Sequence, residues 1–401
     1  MRKQIVILGG GTGGTIAANR LRRRYDEDEA DIHVVDRDDR HVYQPGLLFV
    51  PFGLTSVEKI VRPRRRQLRS GVAFHQAEVE SVALEENEVR LDDGTTLPYD
   101  ALVVASGCRL QPEETEGLVW SENVHTFYSS EGATALAGAL ERFQGGRLVV
   151  DIVDMPIKCP VAPIEFVFLA DWFLRERGLR EKTELVLATP LDGCFTKPVA
   201  SKHLTYLLEQ KRIGLEVEFA AGQVDGGSGT LSSYDGREVP FDLLVAVPLH
   251  GGAEFVERSP GLGDALGFVP TDPNTLQAKA AGNVFVLGDA TDLPSSKAGS
   301  VVHFQGEILV DNVVAFLDGR SLQPSFDGHA NCFIESGFHK ALLIDFDYDI
   351  DPLPGRFGPL PLLKESRLNH LGKLAFQFVY WHALLPGRPL PLPARKVKEA
   401  A

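Results

Sequence analysis

The sequence predicts an α/β protein with two doubly wound units, followed by a C-terminal region that contains an amphipathic helix. Three observations support this fold class: a segment that occurs twice, a glycine-rich turn directly after the first strand, and a basic, apolar segment near the end. The 401 residues are too many for one compact core, and the shares of 44% hydrophobic and 24% charged residues are ordinary for globular domains. We therefore expect two or three domains.

The repeated segment defines the two units. Residues 93–105 and 235–247 share an Asp-Gly turn, a Pro-aromatic-Asp step and an apolar strand. The same offset places a counterpart of the first strand at residues 145–150. Each copy is expected to run strand, loop, helix, strand and then an antiparallel meander, over residues 71–91 in the first copy and 215–233 in the second. Duplication of such a unit indicates a doubly wound architecture.

A dinucleotide site is predicted at the first turn. Residues 9–14 follow an apolar strand, precede a helix and satisfy the pattern G-x-G-x-x-G. The first glycine permits the tight turn, the second lets the backbone approach a pyrophosphate, and the third lets the helix pack closely. An acidic residue at the end of the next strand can bond a ribose 2′-hydroxyl. The candidate residues are Gly9, Gly11, Thr12, Gly13, Gly14 and Asp36.

A second cofactor element lies far downstream, where an apolar strand ends in Gly288-Asp289 and a helix follows over residues 301–317. With the first turn, this arrangement resembles the FAD-binding domain of the flavoproteins that have two Rossmann-like dinucleotide-binding domains, as the disulfide reductases do. The resemblance implies that Asp289 contacts the ribityl–pyrophosphate part of FAD. It also implies further cofactor residues by their place in the same plan, which are Pro45, Val79, Ser106, Gly107, Gly288 and Lys297.

The second copy is predicted to have lost its nucleotide site. Asp151, Val153 and Pro156 stand where the three glycines would be, and no glycine occurs between residues 148 and 174. A branched valine keeps the backbone away from a pyrophosphate, an aspartate repels it, and a proline lacks an amide donor. We therefore expect poor binding of NAD(P)H. This argues against an NADH:quinone oxidoreductase of type II, which has the same plan with an intact second loop.

A cysteine occupies the loop instead. Cys159 follows Lys158 and precedes a helix that is predicted from about Pro163 to about Arg177. A helix N-terminus and a neighbouring lysine both favour a thiolate, so we expect a lowered pKa for this thiol. Glu165 lies in the first turn of the helix, as a proton carrier or as a favourable N-terminal charge.

The pattern Lys-Cys-x-x-Ala-Pro-x-Glu over residues 158–165 resembles the sulfide:quinone oxidoreductase and flavocytochrome c sulfide dehydrogenase group. In that group a second cysteine follows the late helix, and Cys332 stands in the corresponding place, within Asn-Cys-Phe-Ile. The resemblance covers nearly the whole chain. It implies that Cys159 and Cys332 form a redox pair, bridged directly or through extra sulfur, and that Glu165 serves the same site. Sulfide would attack the bridge, and the electrons would pass through FAD to a quinone.

The chain departs from the group at one point. Many members have a third cysteine shortly before the second domain, but residues 123–128 contain none, so we expect FAD to be held without a covalent link. Cys108 is expected to be structural, and an approach of Cys194 to the flavin is left open. No metal site is expected.

The C-terminal segment is predicted to bind a membrane surface. Residues 368–385 read as one helix with a narrow polar stripe of Asn369, Lys373 and Gln377, and its apolar face takes Leu371, Leu374, Ala375, Phe378, Trp381 and Leu385. From Arg356 to Lys398 there are eight basic residues against one acid, although the whole chain has a net charge of −14. A basic C-terminal segment in an otherwise acidic chain favours contact with anionic lipid headgroups. Phe357, Leu360 and Phe376 are quinone-contact candidates by position alone.

The predicted domains are an FAD-binding domain over residues 1–110 and 250–330, a degenerate second domain over 111–249, and a C-terminal region over 331–401. The expected partners are sulfide, a quinone and a membrane surface, with a homo-oligomer as the assembly. The net negative charge argues against nucleic acid. We expect a peripheral membrane protein, because the N-terminus shows no signal peptide and no apolar run is long enough to span a bilayer. Three alternatives stay open: a sulfide dehydrogenase subunit that donates to cytochrome c, a type II NADH:quinone oxidoreductase-like enzyme, and a flavoprotein without turnover.

Overall fold

The first unit of the fold takes up the first hundred residues. The computed structural model describes residues 2–388 and the backbone of the strand 395–397. The elements of this unit are β1 (Lys3–Leu8), α1 (Thr12–Arg24), β2 (Ala30–Asp36), β3 (Arg40–Val42), α2 (Val57–Ile60), β4 (Val61–Pro63), β5 (Val72–Gln76), β6 (Val79–Ala83), β7 (Glu88–Leu91), β8 (Thr96–Pro98) and β9 (Ala101–Val104). Two 3-10 helices, Gln44–Phe52 and Arg64–Gln67, lie between them.

The second unit repeats this order with a longer helical part. Its elements are β10 (Arg109–Leu110), β11 (Val124–His125), α3 (Ser130–Arg142), β12 (Gly146–Ile152), α4 (Ala162–Glu176), β13 (Thr183–Ala188), α5 (Pro198–Gln210), β14 (Gly214–Glu216), β15 (Ala221–Asp225), β16 (Thr230–Ser233), β17 (Glu238–Pro240), β18 (Leu243–Val247), β19 (His250–Gly251) and α6 (Glu254–Glu257). Two short 3-10 helices, Pro112–Glu114 and Arg180–Lys182, complete the unit.

The last part of the chain returns to the first unit and then forms the C-terminal region. Its elements are β20 (Val284–Val286), a 3-10 helix (Gly288–Ala290), α7 (Gly299–Leu317), β21 (Ala330–Gly337), β22 (Lys340–Phe346), β23 (Gly355–Phe357), β24 (Leu360–Leu362), α8 (Arg367–Val379), a π-helix (Tyr380–Leu384) and β25 (Arg395–Val397). Of the basic residues counted in the sequence, the side chains of Arg395, Lys396 and Lys398 lie outside the described part.

Two parallel sheets have the same topology, and the predicted fold class is confirmed. The first has the order β20-β9-β1-β2-β5 and the second the order β11-β18-β12-β13-β14. The central strands are apolar throughout and buried, as parallel strands covered on both faces must be. The strand β20 joins β9 in the first sheet, so the late Gly-Asp element returns to the edge where the glycine turn lies.

The repeat is visible in the meanders, with one correction. The antiparallel strands β15, β16 and β17 occupy the positions that the sequence offset assigns to copies of β6, β7 and β8. The expected meander starts were wrong, however, because β5 and β14 belong to the parallel sheets. Their backbones pair with β2 and β13, so the meanders begin at Val79 and Ala221.

The helix α7 fits the length and composition of a membrane span, but it packs inside the protein. It has 19 residues, a mean hydropathy of 1.2, and 56% of its apolar stretch is buried. Val302, Leu309 and Val313 pack into the same core as Ile16 and Leu21 of α1. Burial against the first sheet therefore explains its apolar character.

The C-terminal region covers the mouth between the two units. The strands β21 and β22 form an antiparallel hairpin, which packs on α4 through β21 and on α8 through β22. The α-helix of the predicted segment 368–385 ends at Val379, and the chain continues as one π-helical turn. This change of geometry turns Tyr380 and Trp381 inward, where both are buried.

Candidate active site

A cavity of about 650 Å³ lies where the two units and the C-terminal region meet. The first glycine turn, the late Gly-Asp element, the loop before α4, the strand β21 and the helix α8 all contribute to its wall. The predicted site residues in this wall are Gly9, Gly11, Thr12, Gly13, Asp36, Pro45, Val79, Ser106, Gly107, Cys159, Glu165, Gly288, Asp289, Lys297 and Cys332. Fifteen of the sixteen predicted site residues therefore lie in the wall of one cavity. Gly14 stands apart, because it serves the packing of the turn.

The three glycines of the first turn have different steric roles. Gly9 adopts a positive φ of 97°, which L side chains rarely adopt. A Cβ at Gly14 would collide with the carbonyl oxygen of Gly9, so α1 packs directly on the strand. At Gly11 no described atom lies within 4 Å of the place where a Cβ would stand. That open space, at the N-terminus of α1, leaves room for a pyrophosphate.

Asp36 stabilises this turn and forms an ion pair with Arg64, a residue that the sequence reasoning missed. Its Oδ2 accepts a hydrogen bond from the Gly10 amide at 2.7 Å and forms an ion pair with Arg64. The Arg64 side chain is buried, and its Nη2 also contacts Asp38 at 3.0 Å. Burial lowers the pKa of Arg64 to about 10, so it remains a cation at neutral pH. The only sequence feature that could have indicated Arg64 was the arginine-rich run at residues 62–66, and such a run is typical of a solvent-exposed segment.

Two polar groups on the cofactor wall, the hydroxyl of Ser106 and the carboxyl of Asp289, suit a polar ligand. The Ser106 hydroxyl makes no hydrogen bond among the described residues. Burial raises the pKa of Asp289, and the nearby cation Lys297 opposes that shift. Lys297 itself donates from Nζ to the carbonyl oxygens of Asp289 at 2.9 Å and Thr291 at 2.6 Å. A polar ligand with hydroxyl and phosphate groups fits such a wall, so the residues present fit FAD.

Cys159 is fixed by hydrogen bonds to both units. Its amide donates to the carbonyl oxygen of Lys297 at 2.6 Å, and its own carbonyl accepts from the Tyr128 hydroxyl at 3.2 Å. The residue adopts a φ of 48°, a left-handed conformation that is uncommon for residues other than glycine. The helix α4 begins at Ala162, close to the predicted start at Pro163. The loop therefore presents this cysteine at the cavity in one defined conformation.

Cys332 lies on β21 and lines the same cavity. All four cysteines fall within the described residues, and all four are free thiols. Burial, followed by the charge of Glu165, raises the pKa of Cys332 to about 12. Burial also raises the pKa of Cys159, with smaller contributions from Glu165 and Cys332, whereas Lys373 lowers it. The two thiols are thus close enough for the charge of one to affect the other.

The expected lowering of the Cys159 pKa was wrong, for two physical reasons. The cysteine is half-buried in the cavity wall, and the partial removal from water disfavours a thiolate more than the helix end favours it. Lys158, the expected cation, points away. Its Nζ donates to Gln44 Oε1 and to the carbonyl oxygen of Tyr128, both at 3.2 Å. The cation that favours the thiolate is Lys373, which comes from the C-terminal helix.

Glu165 and Lys373 form a buried ion pair beside the cysteines. The two side chains are 3% and 8% exposed, and Glu165 Oε1 also accepts from the Glu335 amide at 2.7 Å. Burial raises the pKa of Glu165, while Lys373 lowers it. Burial disfavours the ammonium of Lys373, but the carboxylates of Glu165 and Glu335 outweigh it and raise its pKa. The sequence reasoning had placed Lys373 on a polar surface stripe.

The two remaining cysteines differ from each other. Cys108, expected to be structural, lines the cavity, and its sulfur lies 3.8 Å from Asp289 Oδ2. Burial raises its pKa to about 12. Cys194 is buried in the core of the second unit, with its sulfur 3.4 Å from the hydroxyl of Thr205. The open question about its approach to the flavin is thereby answered, since Cys194 takes no part in the cavity wall.

The second loop offers a pyrophosphate little to bind. Asp151 is fully buried, neither of its carboxylate oxygens has a hydrogen-bond partner among the described residues, and burial raises its pKa well above the ordinary value. Val153 is buried in the same apolar cluster as Val149. Pro156 supplies a carbonyl oxygen to the His250 amide at 3.0 Å and has no amide of its own. The geometry agrees with the predicted loss of the second nucleotide site.

The π-helical turn closes the cavity on the side of the glycine loop. The Tyr380 hydroxyl lies 2.7 Å from both Thr12 Oγ1 and His41 Nε2. Trp381 stacks against the guanidinium of Arg62 at 4.2 Å. The expectation that Trp381 and Leu385 face a membrane was therefore wrong, because the change to π geometry turns them into the core.

The helix α8 exposes one apolar face, and polar side chains lie on its inner side. Asn369 and Lys373 are buried, whereas four large apolar residues of one face are between 45% and 68% exposed. We call this face the α8 ridge: Leu368, Leu371, Leu374 and Phe378. On the inner side, Phe376 and Lys373 line the cavity. One helix thus separates an exposed apolar surface from the candidate site.

Known proteins resemble this chain over most of its length. The family model for pyridine nucleotide-disulphide oxidoreductases matches residues 3–150. The mitochondrial sulfide:quinone oxidoreductase of Mus musculus is 28% identical over 394 residues, which is 96% of this chain and 86% of the relative. Demethylphylloquinone reductase NdbB of Synechocystis is 37% identical over 343 residues, 80% of this chain and 82% of the relative. The X-ray structure of the sulfide:quinone oxidoreductase of Aquifex aeolicus covers 96% of this chain and 92% of its own, with a TM-score of 0.83 and 22% identity.

Proposed function

Because the chain belongs to the sulfide:quinone oxidoreductase and flavocytochrome c sulfide dehydrogenase family of FAD-dependent oxidoreductases, we propose that it oxidises sulfide through Cys159 and Cys332 and passes the electrons to a quinone. One observation carries the assignment of residues. Both cysteines line the cavity that also contains the glycine turn, and they come from segments that are far apart in the sequence. Such a meeting of two thiols at a cofactor wall is what dithiol redox chemistry needs.

FAD, when bound, accepts a pair of electrons and delivers them to the quinone. The residues that would hold it are those of the glycine turn and the N-terminus of α1, whose backbone amides would face the pyrophosphate, and Asp36, whose Oδ1 would bond a ribose hydroxyl. The Ser106 hydroxyl, which has no hydrogen-bond partner among the described residues, and the carboxyl of Asp289 would meet other polar atoms of the cofactor. The lack of a cysteine in residues 123–128 supports the proposal that the cofactor is held without a covalent link.

The sulfide reaction starts from a disulfide between Cys159 and Cys332. Hydrosulfide attacks one sulfur and the S–S bond breaks, which leaves a persulfide on one cysteine and a thiolate on the other. A second sulfur nucleophile, sulfide or polysulfide, then removes the outer sulfur of the persulfide. Two thiolates remain. Re-formation of the disulfide between Cys159 and Cys332 would release two electrons, and a bound FAD would be the carrier that passes them to the quinone.

The electrostatic environment favours rapid onward transfer of these electrons. Burial raises the pKa of both thiols, so a lone thiolate is unstable in this cavity. Lys373 offers the nearest positive charge and lowers the pKa of each thiol. Lys373 therefore offsets part of the cost of burial for the released thiolate. Glu165 keeps the Lys373 ammonium in place beside the cavity.

We further propose that the α8 ridge attaches the protein to a membrane surface and admits the quinone. The exposed ridge is flanked by the exposed basic residues Lys364, Arg367 and Arg388, which suit anionic headgroups. The opposite face of α8 carries Phe376 and Lys373 in the cavity wall. A quinone that leaves the bilayer at the ridge reaches this wall by passing a single helix.

An anaerobic titration of the purified yellow protein tests the proposal. Sulfide should bleach the flavin absorbance near 450 nm, a value typical of oxidised flavin, and a quinone analogue should restore it. Cys159→Ala and Cys332→Ala should abolish the bleaching, whereas Cys194→Ser should retain it because that thiol lies outside the cavity. Retained bleaching in Cys159→Ala would contradict the assignment of the pair.

A second candidate is a quinone reductase with a nicotinamide donor, which the identity to the Synechocystis demethylphylloquinone reductase favours. The loop at Asp151 and Pro156 argues against it, because it provides no glycine cradle for a second pyrophosphate. The same titration decides between the two donors. Rapid bleaching by NADH without bleaching by sulfide would favour the nicotinamide reaction.

A further inference from the structure

The stoichiometry of the proposed reaction requires a proton from solvent. Hydrosulfide brings one proton and gives up two electrons as its sulfur is oxidised, whereas a quinone needs two electrons and two protons to become a quinol. Each turnover therefore takes up one proton in addition to the one that hydrosulfide releases. The ionisable pair of Glu165 and Lys373 in the cavity wall is buried, so a proton that reaches the quinone by way of this pair has to cross protein.

A row of titratable side chains connects the cavity with the surface on the side of α8. Glu165 and Lys373 form the inner pair. Behind them, the buried carboxylate of Glu335 on β21 accepts a hydrogen bond from His370 Nδ1, at 3.0 Å to each oxygen. The ring of His370 meets the ring of His339 edge-on, with 5.6 Å between centroids. His339 is exposed in the turn of the β21–β22 hairpin.

We propose that Glu335 and His370 relay protons from solvent at His339 to the Lys373–Glu165 pair, an inference that rests on the proposed function. A proton enters on His370, passes to the carboxylate of Glu335, and reaches Lys373 by rotation of the Glu335 side chain. The backbone amide of Glu335 donates to Glu165 Oε1 at 2.7 Å, which places this residue beside the inner pair, and the charge of its carboxylate acts on both Lys373 and Glu165. Lys373, which lines the cavity, then donates the proton to the reduced quinone and is recharged along the same path.

The side chains of β21 alternate between the two faces of the strand, which explains how one strand can serve both the sulfur chemistry and the proton supply. Cys332 and Glu335 are three residues apart, so their side chains point to opposite faces of the strand. Cys332 faces the redox cavity and Glu335 faces α8. The ionisable groups around the relay are Glu165 from α4, Lys373 from α8, and His339 and Lys340 from the hairpin turn. Sulfur chemistry and proton supply thus approach the site from different sides.

The test separates the two half-reactions in stopped flow on the FAD-loaded full-length protein. Reduction by sulfide should keep the wild-type rate in Glu335→Gln and His370→Gln, whereas reoxidation by a soluble quinone analogue should slow by roughly 100-fold, at the lower end of general acid–base contributions. In the variants, the rate of reoxidation should fall more steeply as the pH rises than it does in the wild type. Added imidazole should restore the reoxidation rate of His370→Gln. His382→Gln is the matched control, because His382 is exposed beyond α8 and contacts Phe378.

The outcomes are distinct. Wild-type reoxidation rates in both variants, or equal slowing of both half-reactions without rescue by imidazole, would overturn the relay and leave a structural ion pair. If sulfide fails to reduce even the wild type, the proposed function fails, and the relay is still tested by reducing the flavin with dithionite before quinone is added. Retention of bound FAD in each variant shows that it has folded.

Discussion

The buried pair of Glu165 and Lys373 makes a strong prediction about stability. Lys373→Met keeps the volume of the side chain and removes the charge, which leaves a carboxylate that is 3% exposed without its cation. Breaking a buried ion pair from one side costs about 3–5 kcal/mol of the free energy of unfolding. We expect a loss of that size in urea unfolding near neutral pH, with excess FAD in every sample so that linkage to the cofactor is constant.

The sign of the pH dependence follows from the pKa of Glu165. Its ordinary value is 4.5, and burial raises it in the folded state, more so once Lys373 is gone. A carboxyl with a raised folded pKa destabilises the fold at pH values above its unfolded pKa, and this loss disappears when both states are protonated. The deficit of Lys373→Met should therefore shrink as the pH falls towards 4.5.

Two controls sharpen this experiment. The double variant Glu165→Gln, Lys373→Met replaces the pair by neutral side chains of similar size and should recover most of the loss. Lys364→Met removes an exposed charge just before α8 and should change the free energy of unfolding by less than about 0.5 kcal/mol. A loss below about 1 kcal/mol in Lys373→Met that does not vary with pH would refute the reasoning, since it would mean that the pair is solvated.

Three further predictions concern the cofactor, the membrane and the spare cysteine. Gly11→Val should lower the FAD-to-protein absorbance ratio severely, because its side chain fills the space left for the pyrophosphate, while Gly282→Ala, whose Cβ meets Gln277 at 3.8 Å, should not. Leu371→Glu with Leu374→Glu should abolish sedimentation with anionic vesicles and keep sulfide bleaching, whereas Tyr206→Glu, on an equally exposed apolar residue elsewhere, should bind vesicles normally. Cys194→Ser should retain sulfide-dependent quinone reduction in steady-state assays; loss of activity without loss of FAD would contradict its place outside the cavity.

The fold and the cofactor wall could be predicted from the sequence because their signals are local. The backbone itself requires a glycine at residue 9, through a positive φ, and at residue 14, through a close approach, and Gly11 completes the sequence pattern beside open space. The repeated segment predicts the same turn and the same buried strand in both units, and matching turns precede β9 and β18. In such segments the residue type and its position in the chain are enough to predict the conformation.

The groups that set the electrostatics of the site could not be predicted in this way. Arg64 and Lys373 are polar residues in segments that look solvated, and each is buried by a contact with a part of the chain far away. The expected lowering of the Cys159 pKa failed for the same reason: the adjacent Lys158 points away, and the cation that acts comes from 214 residues later in the chain. Long-range pairing of charges leaves no periodic trace in a sequence.

The exposure of an apolar face on α8 and the burial of Lys373 on its other side have a common cause. An amphipathic pattern predicts two faces but does not say which one is buried, and here the buried face is the polar one because Glu165 and Glu335 supply partners for Lys373 and His370. The apolar ridge is left outside, where only a nonpolar environment would cover it. The π-helical turn then ties the end of the same helix to Thr12 through Tyr380. One helix therefore joins the exposed ridge, the buried Lys373 and, through the π-helical turn, Thr12 of the cofactor loop.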